Sequence, residues 1–390
     1  MKHKIILLVA VALVALTANM VLAQTSSVFV TGLKAPNKII YAQKQGYFLV
    51  SEAGIAAIPN SGRISIVTNQ GAVFTLLDGL PSGPAAPNGD PSGPSALSVQ
   101  DNKLYIAIGN GNATVNGPAP GSEIPNPNPN SPIFSSVLEY SFPFFGGFGF
   151  GRTRGNILTS DDHARLANGE TIFIGRPGLP RAKLRLVADF PNFTPSFRPD
   201  VPNNVRGSNP FGLVLHGNTL YVADAAQNNI RTVDLEDGSI GTLITYPARM
   251  NPTPVGPPFI DPVPDSLRLF GNKLLVAFLT GFPFPAGRAD IRQYDLESGE
   301  ESQFIGGLSS AIDVLPVSSG FCSSIYTLEF STNMLMGAPG RLQRFDTPNG
   351  QPTVIANTLI SPTSMARHPA SGDLLVTEIF PGRITRISNQ

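Results

Sequence analysis

The chain has no Trp, a single Cys and only four His among its 390 residues. One cysteine, Cys322, excludes an intrachain disulfide, so stability must come from packing, and without a neighbouring His it reads as a small hydrophobe rather than a nucleophile. The absence of Trp argues against WD and kelch repeats, whose signatures use it. Imidazole chemistry has little to work with: His3 lies in the N-terminal leader, His163 in an irregular stretch, and His216 and His368 beside expected hairpin turns. Charge is also scarce, with 14% Asp, Glu, Lys and Arg, against about 25% in an ordinary domain. The 27 acidic and 27 basic residues cancel. That balance leaves no basic footprint for nucleic acid, and no nucleic-acid partner is expected. Neither a Gly-x-Ser-x-Gly elbow nor a Gly-Lys-Ser/Thr phosphate loop is present.

What the sequence does have is Gly and Pro, 39 and 37 residues, a turn-rich and helix-poor composition. Its first residues follow an export pattern. Met1–Lys4 is basic, Ile5–Leu16 is apolar, and Val21-Leu22-Ala23 forms a small-residue exit before Gln24. Residues 1–23 are therefore expected to be a signal peptide, the mature protein secreted or periplasmic, with no membrane span after cleavage. Residues 24–390 read as a single domain.

Within that domain one unit recurs. It consists of a short apolar strand, a tight turn with Gly or Asn, a second strand shaped like Leu-Tyr-Val-Ala, a loop, and two more strands. The units open at Pro36, Pro94, Pro210, Pro264, Ser310 and Pro362. Third strands of alternating pattern are expected at 63–67, 137–140, 230–233, 291–294, 342–345 and 384–387. Fourth strands follow at 73–80, 184–190, 242–246, 303–308 and 352–359. The last unit has no fourth strand, whereas Ser27–Leu33 has the pattern of one with no hairpin before it. Pairing the two ends would close a ring and remove its exposed edges. The sequence thus predicts an all-β, six-bladed β-propeller closed by its N-terminal strand. The interval from Pro94 to Pro210 is about twice the usual blade length. It is read as holding a Gly/Phe/Pro-rich insertion around residues 143–180, a seventh blade being the alternative.

The second half resembles the ScyD/ScyE family, secreted NHL-like propellers of bacteria named after members encoded in clusters for the sunscreen pigment scytonemin. The resemblance is carried by Asn209-Pro210-Phe211-Gly212, Leu220-Tyr221-Val222-Ala223-Asp224-Ala225 and Val263-Pro264-Asp265-Ser266. Further matches are Leu279 to Gly287 (LTGFPFPAG), Ala311-Ile312-Asp313 and Ile325-Tyr326-Thr327-Leu328-Glu329. It implies an exported binding or scaffold protein, linked to extracytoplasmic secondary-metabolite assembly, with an unknown protein or small molecule as partner. It carries no reaction with it.

In a propeller the starts of the inner strands and the loops after the second strands surround a central channel. Asn37, Asn209, Asp265 and Asp313 are candidates of the first kind, and Glu52, Asp224, Glu329 and Glu378 of the second. Oxygens from several blades suit a hard cation such as Ca²⁺. The rival to a binding protein is therefore a metal-dependent lactonase-like hydrolase using these acidic residues. The competing expectation is that the carboxylates pair with Arg231, Arg288 or Arg383. Two aromatic segments, Phe142–Phe150 and Gly281–Ala286, offer Phe144, Phe145, Phe148, Phe150, Phe282 and Phe284 as interaction residues.

Overall fold

The computed structural model of the chain describes residues 25–143, 157–175, 181–319 and 322–388. Residues 1–24, the stretch holding Phe144, Phe145, Phe148 and Phe150, and the Cys322 side chain lie outside the described set. Six antiparallel sheets are arranged as a β-propeller. Blade 1 is Pro36–Ala42, Tyr47–Glu52, Gly62–Val67 and Val73–Leu80, from the axis outward. Blade 3 (Pro210–His216, Thr219–Asp224, Asn229–Asp234, Ile240–Thr245) follows the same order. So do blade 4 (Pro264–Phe270, Lys273–Phe278, Ala289–Asp295, Glu301–Leu308) and blade 5 (Ala311–Ser319, Cys322–Glu329, Gly340–Phe345, Thr353–Leu359).

Blade 2 accounts for the long interval. Its four strands, Pro94–Gln100, Lys103–Ile108, Ser136–Ser141 and Ala182–Asp189, carry a fifth, Ile172–Ile174, on the outer edge. A short helix, Ser160–Ala167, precedes that strand and is set by a capping box between Thr159 and Asp162. His163 on this helix is buried, and its Nε2–H donates to the Gly79 carbonyl at 2.9 Å, tying the insertion to blade 1. The interval holds an insertion and no seventh blade among the described residues.

Blade 6 is Pro362–Arg367, Leu374–Glu378 and Arg383–Ile387, and Ser26–Val30 pairs with the last of these. Ser26 stands opposite Ile387 and Val28 opposite Thr385. Just beyond this strand, the Leu33 N–H donates to the Gly382 carbonyl at 2.9 Å.

The core is divided into clusters, each spanning two successive blades. Ile312, Leu328 and Leu342 of blade 5 pack with Met365 and Val376 of blade 6. Val30 and Leu33 join Ile39, Phe48, Leu375 and Ile384 where blade 6 meets blade 1. The alternating pattern of the sequence predicts half-buried strands, but Tyr47–Glu52 and Leu374–Glu378 are buried throughout. Both faces of a blade meet a neighbour, so polar positions near the axis are also enclosed. They hold small hydroxyls that bond across the interface. Ser51 Oγ donates to the Ser95 carbonyl at 2.8 Å, and Ser135 Oγ donates to the Ser208 carbonyl at 2.6 Å. A buried polar group so paired avoids the desolvation cost of an empty partner.

Removing residues 1–33 strips blade 6 of its outer strand and opens an edge at Arg383–Ile387. That variant is expected to melt at a lower temperature and to elute partly as aggregate. A chain beginning at Thr25 should melt like the full chain, as checked by circular dichroism and size-exclusion chromatography.

Candidate ligand-binding site at the propeller axis

The inner strand of every blade contains a β-bulge at its second or third residue. Pro36 pairs with Glu52 and Lys38 with Ser51, so Asn37 is left outside the ladder. The same irregularity recurs after Pro94, Pro210, Pro264, Ala311 and Pro362. An extra residue in one strand bends it and re-aims a side chain. Here the second residues of the six strands, Asn37, Ser95, Phe211, Asp265, Ile312 and Thr363, all line one cavity on the axis. Gly212 allows the close approach this needs, because a Cβ there would stand 2.1 Å from the Asp265 carbonyl oxygen.

Three of these second residues lock the ring. Thr363 Oγ1 donates to the Pro36 carbonyl at 2.9 Å, Asn37 Nδ2 to the Pro94 carbonyl at 3.3 Å, and Ser95 Oγ to the Pro210 carbonyl at 2.6 Å. Each reaches the opening proline of the next blade. Their donors are thereby engaged, while Asn37 Oδ1 and Asp265 Oδ2 remain buried without a partner.

The cavity has a volume of about 410 Å³, within the range of small-molecule sites. Its apolar wall is Phe211, Leu279, Ile312, Phe330, Ile379 and Phe380. Phe330 and Phe380 meet edge to face at 6.4 Å. Phe284 and Met334 complete the wall on loops after the second strands. Among the described residues the titratable ones on the wall are Asp90 and Asp265, and no Lys, Arg or His lines it. Burial pushes the Asp265 carboxyl well above the ordinary carboxylate range. A second, more polar groove of about 450 Å³ adjoins the first and shares Asn110, Asn209 and Val263 with it. Of its charged residues, Arg206 pairs with Asp261 at 3.2 Å, Arg198 with Asp200 beside the groove at 2.8 Å, and Glu123 accepts from Thr114 Oγ1 at 2.9 Å.

One residue below the cavity floor the axis is occupied by an ionic cluster. Asp313 of blade 5 accepts from Lys38 Nζ of blade 1 at 3.3 Å and from Arg268 of blade 4 at 2.7 and 3.1 Å. Ser266 and Ser364 donate to it as well, at 2.8 and 2.9 Å. Burial alone would raise the Asp313 pKa, but Arg268 and Lys38 outweigh it and hold the carboxyl well below its usual range. Lys38 is lowered to about 8, first by burial and then by Arg268. The cluster ties together four blades and closes the channel under the cavity.

The remaining expected site residues do a different job. Glu52, Asp224, Glu329 and Glu378 end the second strands of blades 1, 3, 5 and 6, and each is held by an Arg of the third strand. Glu52 accepts two bonds from Arg63, at 2.6 and 2.9 Å, and Asp224 accepts from Arg231 Nε at 3.2 Å. Arg341 and Arg383 hold Glu329 and Glu378 in the same bidentate way. All four carboxylates are fully enclosed. Each also accepts a backbone N–H just before its own inner strand: Lys34 at 2.5 Å, Asn209 at 2.8 Å, Ser309 at 2.6 Å and Ile360 at 2.5 Å. In blades 1, 5 and 6 the next residue, Ala35, Ser310 or Ser361, has φ of 53°, 46° or 49°. These are left-handed conformations disfavoured for side-chain-bearing residues, and the clamp holds the turn that contains them. Burial would raise Glu378, yet its bonds to Arg383 and Thr385 prevail and keep it below its ordinary value. Blades 2 and 4 place Ile108 and Phe278 at the equivalent register and have no such clamp.

Of the seven acidic and amide residues expected to face a metal, the structure brings Asn209 and Asp265 to the cavity, with Asn37 beside them. It puts Asp313 below the floor and the other four in arginine clamps. Among the described residues no three His, Cys, Asp or Glu side chains gather to hold a metal ion. A hard cation asks for about six to eight oxygens, charged ones above all, and the described lining brings two carboxyls to the cavity, Asp90 and Asp265. Phe284 lines the cavity, and Phe282, 48% exposed, packs edge to face on it at 6.1 Å. His368 makes a hydrogen bond with the Asn69 carbonyl at 3.1 Å, far from the axis in the blade 6 hairpin turn. The sequence reasoning missed Ser95, Phe211, Ile312 and Thr363. Their common signal is position two after the opening residue of each unit, whatever the residue type.

No protein-family model matches the chain, and no curated protein matches it. Solved structures do match in fold. A protein of unknown function from Bacteroides thetaiotaomicron aligns with a TM-score of 0.51 at 10% identity, over 94% of this chain and 76% of that one. An auxiliary nutrient binding protein from the same organism aligns with a TM-score of 0.51 at 10% identity, over 92% of this chain and 69% of that one. A gluconolactonase from Xanthomonas campestris aligns at 0.48 and 10% identity, over 94% and 89%. Likeness at this identity defines the fold alone, which is a six-bladed β-propeller.

Two outcomes follow from the site. Arg341→Ala leaves the enclosed Glu329 carboxylate without its counter-charge and is expected to cost about 3 kcal/mol of stability, read from urea unfolding. Asp265 has a folded-state pKa above its unfolded value, so its stabilising contribution is present below about pH 4 and is lost as pH rises towards the folded pKa. Asp265→Asn should therefore raise the melting temperature near neutral pH and give no gain at about pH 3.5, as checked by calorimetry at both values.

Proposed function

We propose that this chain is an exported binding propeller of the ScyD/ScyE type that holds a small, largely apolar organic molecule in its axial cavity. The observation that carries this reading is the cavity itself: six blades contribute to its wall, where Phe211, Leu279, Ile312, Phe330 and Phe380 form the apolar part, beside Asp265 and neutral amides and hydroxyls. Apolar surface buried by a ligand there would supply the affinity, and the few polar groups would fix its orientation. The leader pattern in residues 1–23 supports export to the periplasm or beyond. The family resemblance supports a place in secondary-metabolite assembly outside the cytoplasm, as carrier or scaffold.

The test uses N-phenyl-1-naphthylamine, an apolar fluorophore of suitable size. Saturable fluorescence enhancement at one site per chain is expected, and Ala85→Trp at the cavity rim should weaken it about tenfold with an unchanged melting curve. Absence of saturable binding, or binding indifferent to Ala85→Trp, overturns the reading. Lactone hydrolysis that depends on added calcium and is lost in Asp265→Ala would replace it with the hydrolase.

A further inference from the structure

The charge distribution of the cavity goes one step further than its shape. Among the described residues its wall carries two carboxyls, Asp90 at the mouth and Asp265 inside, and no basic side chain. The nearest positive groups on the axis, Lys38 and Arg268, lie one residue deeper and are turned to Asp313, which holds both. Asp265 is 3% exposed, its Oδ2 has no partner, and Phe211 and Phe330 stand on the same wall. In the four clamped blades a buried carboxylate always has its arginine. Asp265 sits in blade 4, where the clamp position holds Phe278, so the blade supplies no arginine to it through that device.

We infer that the axial cavity is built for an organic cation, an apolar amine whose ammonium group stands against Asp265 and the aromatic faces while its hydrocarbon fills the rest of the wall. This rests on the cavity being the binding site. A carboxyl buried away from solvent carries a cost that a ligand ammonium offsets by ion pairing and hydrogen bonding. The ring faces of Phe211 and Phe330 favour the same charge. Opposite Asp265 across the axis, Asn37 has its amide donor committed to Pro94 and offers the cavity an acceptor character as well. A hard inorganic cation is best held by several carboxylates in close reach, and no three His, Cys, Asp or Glu gather among the described residues, whereas an ammonium needs one or two acceptors and an apolar surround.

The experiment compares 4-phenylbutylamine with 4-phenylbutanol, which share a skeleton and differ in charge. Both are titrated into the full chain near neutral pH by calorimetry and by displacement of N-phenyl-1-naphthylamine. The amine is expected to bind at least about tenfold more tightly than the alcohol, and Asp265→Asn should abolish that preference. Equal affinities in the wild-type chain overturn the inference, and so does a preference that survives Asp265→Asn. A melting temperature raised by calcium but not by the amine overturns it in favour of a metal site. If the fluorophore binds and the alcohol displaces it as well as the amine does, the cavity reading stands and only the charge class fails. If neither compound nor the fluorophore binds, the cavity reading itself fails.

Discussion

Six sheets that converge on one axis must satisfy their backbone polar groups where water is excluded, and the rest of the molecule is arranged around that requirement. Side chains at the second position of the inner strands meet part of it, with Thr363, Asn37 and Ser95 each donating to the first carbonyl of the following blade. Because those carbonyls belong to prolines, the strand openings have no N–H to satisfy in return. Hydrogen bonding at the axis thus runs between blades as well as within them: Ser95 Oγ also reaches the Ala107 carbonyl of its own blade. The same bulge that frees these side chains from the ladder also brings all six second residues to a shared cavity, so one local irregularity repeated six times creates both the ring and the site.

The clamps show how a repeat can use strong interactions for architecture. An enclosed carboxylate flanked by Arg and by a backbone N–H is costly to desolvate and costly to leave unpaired. It therefore fixes geometry more than it adds stability. Glu52, Glu329 and Glu378 each hold a turn whose next residue adopts a left-handed conformation. That turn sets where the inner strand begins, and hence where position two of the strand falls. Charge at the rim of the channel is in this way spent on placing strands, and the cavity is left with the aspartates that no arginine reaches.

Much of this was legible in the sequence. The unit starts at Pro36, Pro94, Pro210, Pro264 and Pro362 coincide with the first residues of inner strands, because an opening Pro and a hairpin Gly or Asn are local, strong signals. Val73–Leu80 was readable as an outer strand to the residue. The insertion in blade 2 was readable as an interruption, but its helix was not, since eight residues with two buried positions give a faint period. The site was harder. Asn209, Asp265 and Asp313 look equivalent when aligned by chemistry, yet the bulges put them at three levels along the axis. A sequence pattern shows which residues lie near the channel; it does not show which of two adjacent residues escapes the ladder. Nor does it show that Glu329 and Arg341, twelve positions apart, face each other, although the recurrence of an acid ending one strand and an Arg opening the next is visible once the strands are drawn.

The pairing of Ser26–Val30 with Arg383–Ile387 joins the two ends of the ring across almost the whole chain. Contacts of such separation form late and slowly, because the loop between them must first be brought together. Blade 6 cannot be finished before its own final strand has been made, however early the first residues appear. On a ribosome Ser26–Val30 would therefore stay without its partner strand until Arg383–Ile387 has been made. The ring thus stays open on one side until both of its ends are present.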